Sequence, residues 1–352
     1  MARALAPPSR TPSVTLVVAM RNEEAAIEAC LASILAQTYP ADKLELLVFD
    51  GASTDASWER AARALAGRPD SRLEANPRRT QAVAWNLGID AATGDVIGIV
   101  SGHALLGVDY VEAAVDVLRT TGADMVGGPV RAVGEGSVAQ AIALAMSLPF
   151  GVGGANFRYL DREQDVDTVF MGLAPSDVYR TFKFDEEMVR NQDDELSYRL
   201  QDAGRRIVCS PRIQSSYRSR STFPGLWHQY FDYGLWKVRV LQKHPAQARL
   251  RHLAPTTLVA TLVAGVALAV VWPTAWIGVL AVVAAYATAL GLAILGARTR
   301  DRLRVIALLP VAFVILHFAY GLGMAAGLVR YRRWEPGTRS VLARQLFRRA
   351  RG

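Results

Sequence analysis

Cysteine is scarce in this chain: Cys30 and Cys209 are the only two in 352 residues. Each falls in an apolar pattern, which argues against a disulfide scaffold or a paired-thiol metal site and reads as buried thiols in a reducing compartment. The start lacks the apolar run that export requires. Met1–Thr11 is instead a short Pro, Ser, Arg and Ala stretch, read as a flexible lead-in, so the domain after it is expected to stay in the cytoplasm. No nucleic-acid reader motif is present either, so the net charge of +8 needs another account. Its location supplies one. Residues 330–352 hold eight arginines against one glutamate, and Arg298, Arg300, Arg302 and Arg304 stand between two apolar runs. Basic clusters beside hydrophobic spans suit anionic lipid head groups, and Ser340–Ala350 can lie along such a surface as an amphipathic helix. The partner implied is a membrane, with no nucleic acid.

What is present is unevenly spread. Apolar residues make up 51% of the chain, but residues 1–250 are of mixed composition while 253–329 are nearly all apolar. In the first part, β-branched runs at Val14–Ala19, Leu44–Phe49 and Val96–Val100 predict buried strands, with further strands near Ser71–Glu74 and Asp124–Val126. Helical spacing covers Glu24–Gln37, Ser57–Leu65, Thr80–Ala92 and Asp109–Thr120. This alternation predicts an α/β domain with a mostly parallel sheet and helices on both faces. Ligands of such sheets bind beyond the carboxyl ends of the strands, where Asp50 and the Ser101–His103 turn both fall. In the second part, Leu253–Trp272, Ala275–Gly296 and Val305–Val329 are each long enough to cross about 30 Å of hydrocarbon. The third contains Pro310 and reads as one tilted span or two short broken segments. Three full spans leave the arginine-rich tail opposite a cytosolic first domain, against the usual side for arginine.

Three polar motifs stand at strand ends. Val18–Glu24 (VAMRNEE) lies at a strand-to-helix junction, where free amides suit a ribose or phosphate; equally, Asn22 can cap the helix with Glu23 and Glu24 complementing its dipole. Phe49–Asp55 (FDGASTD) offers Asp50 to a nucleotide base, while Asp55 or Ser57 can simply cap the next helix. Asn76–Ala104 carries Arg78 and Arg79 just before a helix, placed to pair with an anion.

From here the order of motifs resembles the family 2 glycosyltransferases, in particular the branch of succinoglycan-type exopolysaccharide glucosyltransferases. The resemblance runs on through Pro149–Arg158 (PFGVGGANFR), similar to an acceptor-side loop, and Arg190–Leu200 (RNQDDELSYRL), similar to the segment carrying the catalytic base. It ends with Trp227–Pro245, similar to an amphipathic membrane-surface segment, and so covers residues 14–245. It implies a GT-A-type fold followed by an α-helical transmembrane region. It implies nucleotide contacts from Ala19, Arg21, Glu23, Asp50, Ser53 and Arg79, and a diphosphate and metal region at Ser101 and His103. Gly153, Gly154, Trp236 and Lys237 fall on the acceptor side. Asp193, three residues before Leu196, is implied as the base, with Asp194 next. A carboxylate within reach of an acceptor hydroxyl can take its proton, and the row Asp193, Asp194, Glu195 is expected to raise a pKa by mutual repulsion.

Two departures stand out. Ala19 replaces a usual proline, and the acidic metal motif reads Ser101-Gly102-His103. His103 can ligate a divalent cation, but a serine is a poorer ligand than aspartate for a hard ion, so Mg²⁺ or Mn²⁺ is expected to bind weakly.

The resulting organisation is a flexible terminus at 1–11, a glycosyltransferase domain at 12–225, an interfacial helical segment at 226–250, a membrane region at 251–329 and a basic tail at 330–352. The expected reaction is inverting sugar transfer at the plasma membrane from a nucleotide sugar, UDP-linked, to a polyprenyl-diphosphate-linked saccharide or other lipid acceptor. A processive synthase does not fit, since no Gln-x-x-Arg-Trp motif follows Gln229. A polyprenyl-phosphate sugar synthase and a non-catalytic nucleotide-sugar-binding subunit are the competing readings, the latter motivated by Ser101.

Overall fold

The computed structural model describes residues 11–153, 160–297 and 303–332. Gly154, Arg298, Arg300, Arg302 and the Ser340–Ala350 segment lie outside the described residues. The chain divides into two compact units, Met1–Arg131 with Asn156–Arg218, and Ala132–Ala155 with Ser219–Gly352. The uninterrupted 12–225 domain read from the sequence is therefore broken: residues 132–155 fold with the apolar helices.

In chain order the elements up to the break are β1 (Val14–Met20), α1 (Ile27–Leu35), β2 (Leu44–Asp50), α2 (Ser57–Leu65), β3 (Ser71–Ala75), α3 (Gln81–Ala91), β4 (Val96–Ser101), β5 (Ala104–Leu106), α4 (Tyr110–Thr121), β6 (Met125–Gly128) and β7 (Val130–Val133). Next come α5 (Gly136–Ser147) and α6 (Pro149–Val152) of the second unit. The first unit resumes with β8 (Gln164–Asp165), β9 (Phe170–Pro175), α7 (Ser176–Phe182), α8 (Gln192–Asp202), β10 (Ile207–Cys209) and β11 (Ser215–Arg218).

The main sheet is ordered β3-β2-β1-β4-β9-β6-β10-β8. Both faces of β1 are buried, which is why it reads as an unbroken apolar run. Val14, Leu16, Val18 and Met20 pack with α1, α2 and α4, while Val17 and Ala19 pack with α3, α7 and α8. Gly88 lets α3 close on this strand, since a Cβ there would sit 2.1 Å from Val17 Cγ1. The strands β3, β2, β1 and β4 are parallel, as are β6 and β10. β9 runs antiparallel to both β4 and β6, and β8 antiparallel to β10. The sheet is thus mixed, with the parallel pairs expected from the sequence across β3, β2, β1 and β4 and antiparallel pairs beyond them. The chain reaches β9 after the excursion through α5 and α6, not by a helical crossover packed on the sheet, and so escapes the constraint that keeps βαβ neighbours parallel. Cys30 and Cys209 are free and buried, as expected, and burial pushes both thiols up to about 12.

The second unit continues with α9 (Phe223–Lys243), α10 (Leu250–Val271), α11 (Ala275–Gly296) and α12 (Leu303–Arg330). Helices α10, α11 and α12 are long and apolar enough to cross a membrane, and α12 runs through Pro310 without a break. The helical segment expected at 226–250 is mostly α9, packed along α12. Glycines allow the close approach: a Cβ on Gly234 would sit 2.1 Å from Tyr320 O, and one on Gly323 2.0 Å from Phe231 O.

Candidate active site

Parallel register brings three strand ends level. Met20 of β1 pairs with Asp50 of β2, and Ala19 pairs with Ser101 of β4. The loops beyond β1 and β2 are laced together. Asn22, at φ +54°, donates its amide to Ser53 Oγ (2.9 Å), while its side-chain oxygen accepts from the Thr54 amide (2.8 Å). Glu23 N donates to Ser57 Oγ (2.7 Å) and Glu24 N to Asp55 (3.2 Å). The helix-cap reading of Asn22 is therefore wrong. Helix α1 begins only at Ile27, and Asn22 supplies the left-handed turn that an amide side chain tolerates. Asp55 accepts from the Ser57 amide and hydroxyl, while the residue that precedes α2 is Ala56, without a side-chain cap.

Asp50 is 5% exposed, and its carboxylate accepts from the Ser53 amide (3.0 Å) and hydroxyl (2.5 Å). Arg21 and Arg79 flank Gly51: its missing Cβ would lie 3.3 Å from Arg21 Cβ and 3.1 Å from Arg79 O. Arg79 is exposed at φ +64°. Arg78 is ion-paired with Glu186, whereas Arg79 approaches Gly51 through its backbone carbonyl. Asn76, whose amide donates to Asp50 O, has a buried Oδ1 that no protein group bonds among the described residues; the same holds for Thr80 Oγ1.

At the end of β4, His103 Nδ1 stands 2.8 Å from Glu23 Oε1, with both side chains partly exposed and Tyr217 edge-on to the ring at 6.3 Å. Gly102 makes this turn fit, since a Cβ would meet Met20 Cβ at 2.8 Å. Ser101 is 3% exposed, and its hydroxyl accepts from Gln81 Nε2 at 3.0 Å. Gln81 Oε1 in turn lies 3.5 Å from Gln192 Nε2, the outer limit of a hydrogen bond. Gln192 is the first residue of α8 and immediately precedes Asp193. A run of neutral side chains therefore connects the end of β4 to the helix start that carries the acidic row.

That row is not a single charged patch. Asp193 and Asp194 are partly exposed, and Asp193 Oδ1 accepts from the Asp194 amide (3.0 Å). Glu195 turns inward, 2% exposed, and is held by Arg199 through contacts of 2.8 and 3.1 Å from Nε. Arg199 also donates to the carbonyls of Phe182 and Lys183, tying α8 to the end of α7. The expected three-way repulsion is thus reduced to two neighbouring aspartates, because a helix turns successive side chains by about 100°.

Gln81 and Gln192 escaped the sequence reading. Glutamine at a helix start reads as a good helix former, so neither residue stands out in the sequence. The residues expected on the acceptor side belong to the second unit: Gly153, at φ +62°, closes α6, while Trp236 and Lys237 lie on α9. Trp236 packs against Tyr331 at 5.8 Å, and Lys237 is 7% exposed.

The fold, with its laced strand-end loops, is that of the GT-A glycosyltransferases. A mannosyltransferase from Pyrobaculum calidifontis, solved with GDP-mannose and Mn²⁺, shares it at a TM-score of 0.59 and 21% identity over 92% of this chain and 90% of that one. Over residues 15–180 the chain matches the sequence model of glycosyl transferase family 2. It is 29% identical to the succinoglycan biosynthesis protein ExoA of Rhizobium meliloti over 91% of this chain and 96% of that protein. A dolichyl N-acetyl-α-D-glucosaminyl phosphate 3-β-D-2,3-diacetamido-2,3-dideoxy-β-D-glucuronosyltransferase of Methanococcus voltae is 27% identical over 65% of this chain and 74% of its own length.

Proposed function

We propose that this chain is a membrane-anchored inverting glycosyltransferase that moves a sugar from a nucleotide donor to a hydroxyl of a lipid-linked saccharide, with Asp193 as the base. The observation that carries the reading is the link from Ser101 through Gln81 to Gln192. It ties the residue before Asp193 to the strand end whose neighbours, through β1, lead to Asp50. Asp50 and Glu23 are assigned to the base and ribose of the nucleotide, with Arg21, Ser53 and Arg79 beside them. The unpartnered Asn76 Oδ1 and Thr80 Oγ1 support a polar ligand or water here, since buried polar atoms otherwise go unsatisfied. UDP is the proposed donor nucleotide. A lipid-linked acceptor is supported by the name of the Methanococcus relative and by three helices able to cross a membrane.

Among the described residues no group of three or more His, Cys, Asp and Glu side chains could hold a metal ion. His103 and Glu23 alone offer one ring nitrogen and one carboxylate. That set fits a divalent cation only when diphosphate oxygens complete its shell, which agrees with weak binding. A bound cation neutralises charge on the departing diphosphate. The protein's own share is to hold the ribose and base, fix the α8 start, and let Asp193 take the acceptor proton.

Asp193→Asn tests the assignment. Turnover of a nucleotide-sugar panel by the purified protein in detergent is expected to fall about 10²- to 10⁴-fold with nucleotide affinity kept. Unchanged turnover refutes the base. The neutral Ser101 favours one second reading, a nucleotide-sugar-binding subunit, and unchanged cellular function of the Asp193→Asn chain decides for it.

A further inference from the structure

We propose that α5 and α6 form a re-entrant membrane element whose tip reaches the middle of the bilayer, where it meets lipid chains. The inference rests on the reading that α11 crosses the membrane. No charged residue occurs from Gly136 to Phe157, and α5 is apolar but only 12 residues long. At 1.5 Å per residue that is about 18 Å, close to one leaflet of hydrocarbon and too short to span both.

Its depth is set by what the tip touches. Trp272 and Trp276 bracket the turn between α10 and α11, and indoles favour the membrane–water boundary. Tyr286 lies ten residues further along α11, or about 15 Å below that boundary, half of a core of about 30 Å. The Phe150 ring of α6 packs 6.0 Å from Tyr286, 5.1 Å from Phe313 and 4.9 Å from His317. A side chain at Gly151 would clash, its Cβ lying 2.1 Å from Ala145 O and 3.0 Å from Leu316. The turn is wedged at mid-span.

Backbone that leaves the helix at that depth must find partners within the protein. Here it does. Pro149 brings no amide; the amides of Gly151 and Val152 donate to Leu148 O, and that of Gly153 to Pro149 O. The Phe150 carbonyl pairs with His317 Nε2 at 2.8 Å, and His317 Nδ1 with the Tyr286 hydroxyl at 2.8 Å. A histidine and a tyrosine in the middle of two apolar helices are costly there unless they have such work.

The full chain, reconstituted in phosphatidylcholine vesicles, tests this with single labels at Leu144→Cys and Val152→Cys. Cys30 and Cys209 are buried and remain in place. A fluorophore at 152 is expected to be quenched several-fold more by a nitroxide near the end of the acyl chain than by one near the head group. The thiols should resist a membrane-impermeant maleimide. Ser137→Cys, at the start of α5, should react with it. His317→Leu and, separately, Gly151→Val should each raise the reactivity of position 152 several-fold. Leu280→Cys on the exposed face of α11 is the control. Quenching at 280 without quenching at 152 overturns the re-entrant element alone; no quenching at 280 overturns the span, and the proposal with it.

Discussion

Gln81 shows how a neutral side chain can govern a charged one. It donates to a buried serine and accepts from the glutamine that opens α8, so its loss leaves the Ser101 hydroxyl without that donor and Gln192 held by Val189 O alone among these contacts. Gln81→Leu is expected to lower turnover about 10-fold, from roughly 1–3 kcal/mol of lost hydrogen bonding, with nucleotide affinity little changed; steady-state kinetics beside nucleotide titration checks the split. Glu195→Ala tests the opposite kind of residue. It leaves Arg199, 28% exposed, with only the Phe182 and Lys183 carbonyls, and a stability loss of about 1.5–3 kcal/mol is expected in denaturant titration. In the sequence these residues sit among lookalikes. Asp193, Asp194 and Glu195 are one acidic run until a helix turns the third inward, and Asn22 is a plausible cap until the helix starts five residues later.

Among the elements, the strands were legible because burial on both faces leaves no polar alternation to confuse. β1, β2 and β4 fall within a residue or two of where the apolar runs predict. β9, the strand that makes the sheet mixed, was not legible: Phe170–Pro175 is short, contains Gly172 and follows a segment with no helical pattern to mark a crossover. The join of α3 to β1 offers a test. Gly88→Val drives a side chain into Val17, and a loss of about 1–3 kcal/mol is expected by thermal or chemical unfolding. The N-terminal ends of β1 and β4 carry an acid-sensitive clasp. Hydrogen bonds from the Ser13 hydroxyl and amide hold the Asp95 carboxyl below its ordinary range. A lowered folded pKa gives a contribution that is full above the unfolded value, about 3.9, and lost as pH falls through the folded one. Stability should therefore drop below about pH 4, and Asp95→Asn should flatten that limb in denaturant titrations.

For the whole molecule, composition reveals the apolar helices but not how the chain is shared between units. Residues 132–155 sit in the middle of the sequence and fold with its end. Their composition, apolar yet too short for a span, matches a core helix equally well, so only contacts tell the two apart. A chain cut after Arg218 keeps α5 and α6 but loses α9 to α12. It is expected to aggregate on gel filtration, and replacing residues 132–155 with a short polar linker should return it to a monomer.

Helices α10 and α11 have 22 residues each and almost no protein covering. At about 33 Å apiece they slightly exceed a hydrocarbon core of about 30 Å, so in thin bilayers the pair must lean or draw the lipid up around it. On the membrane-anchored reading proposed above, the hairpin acts as a gauge of membrane thickness, and the protein should partition towards thicker, more ordered bilayer regions.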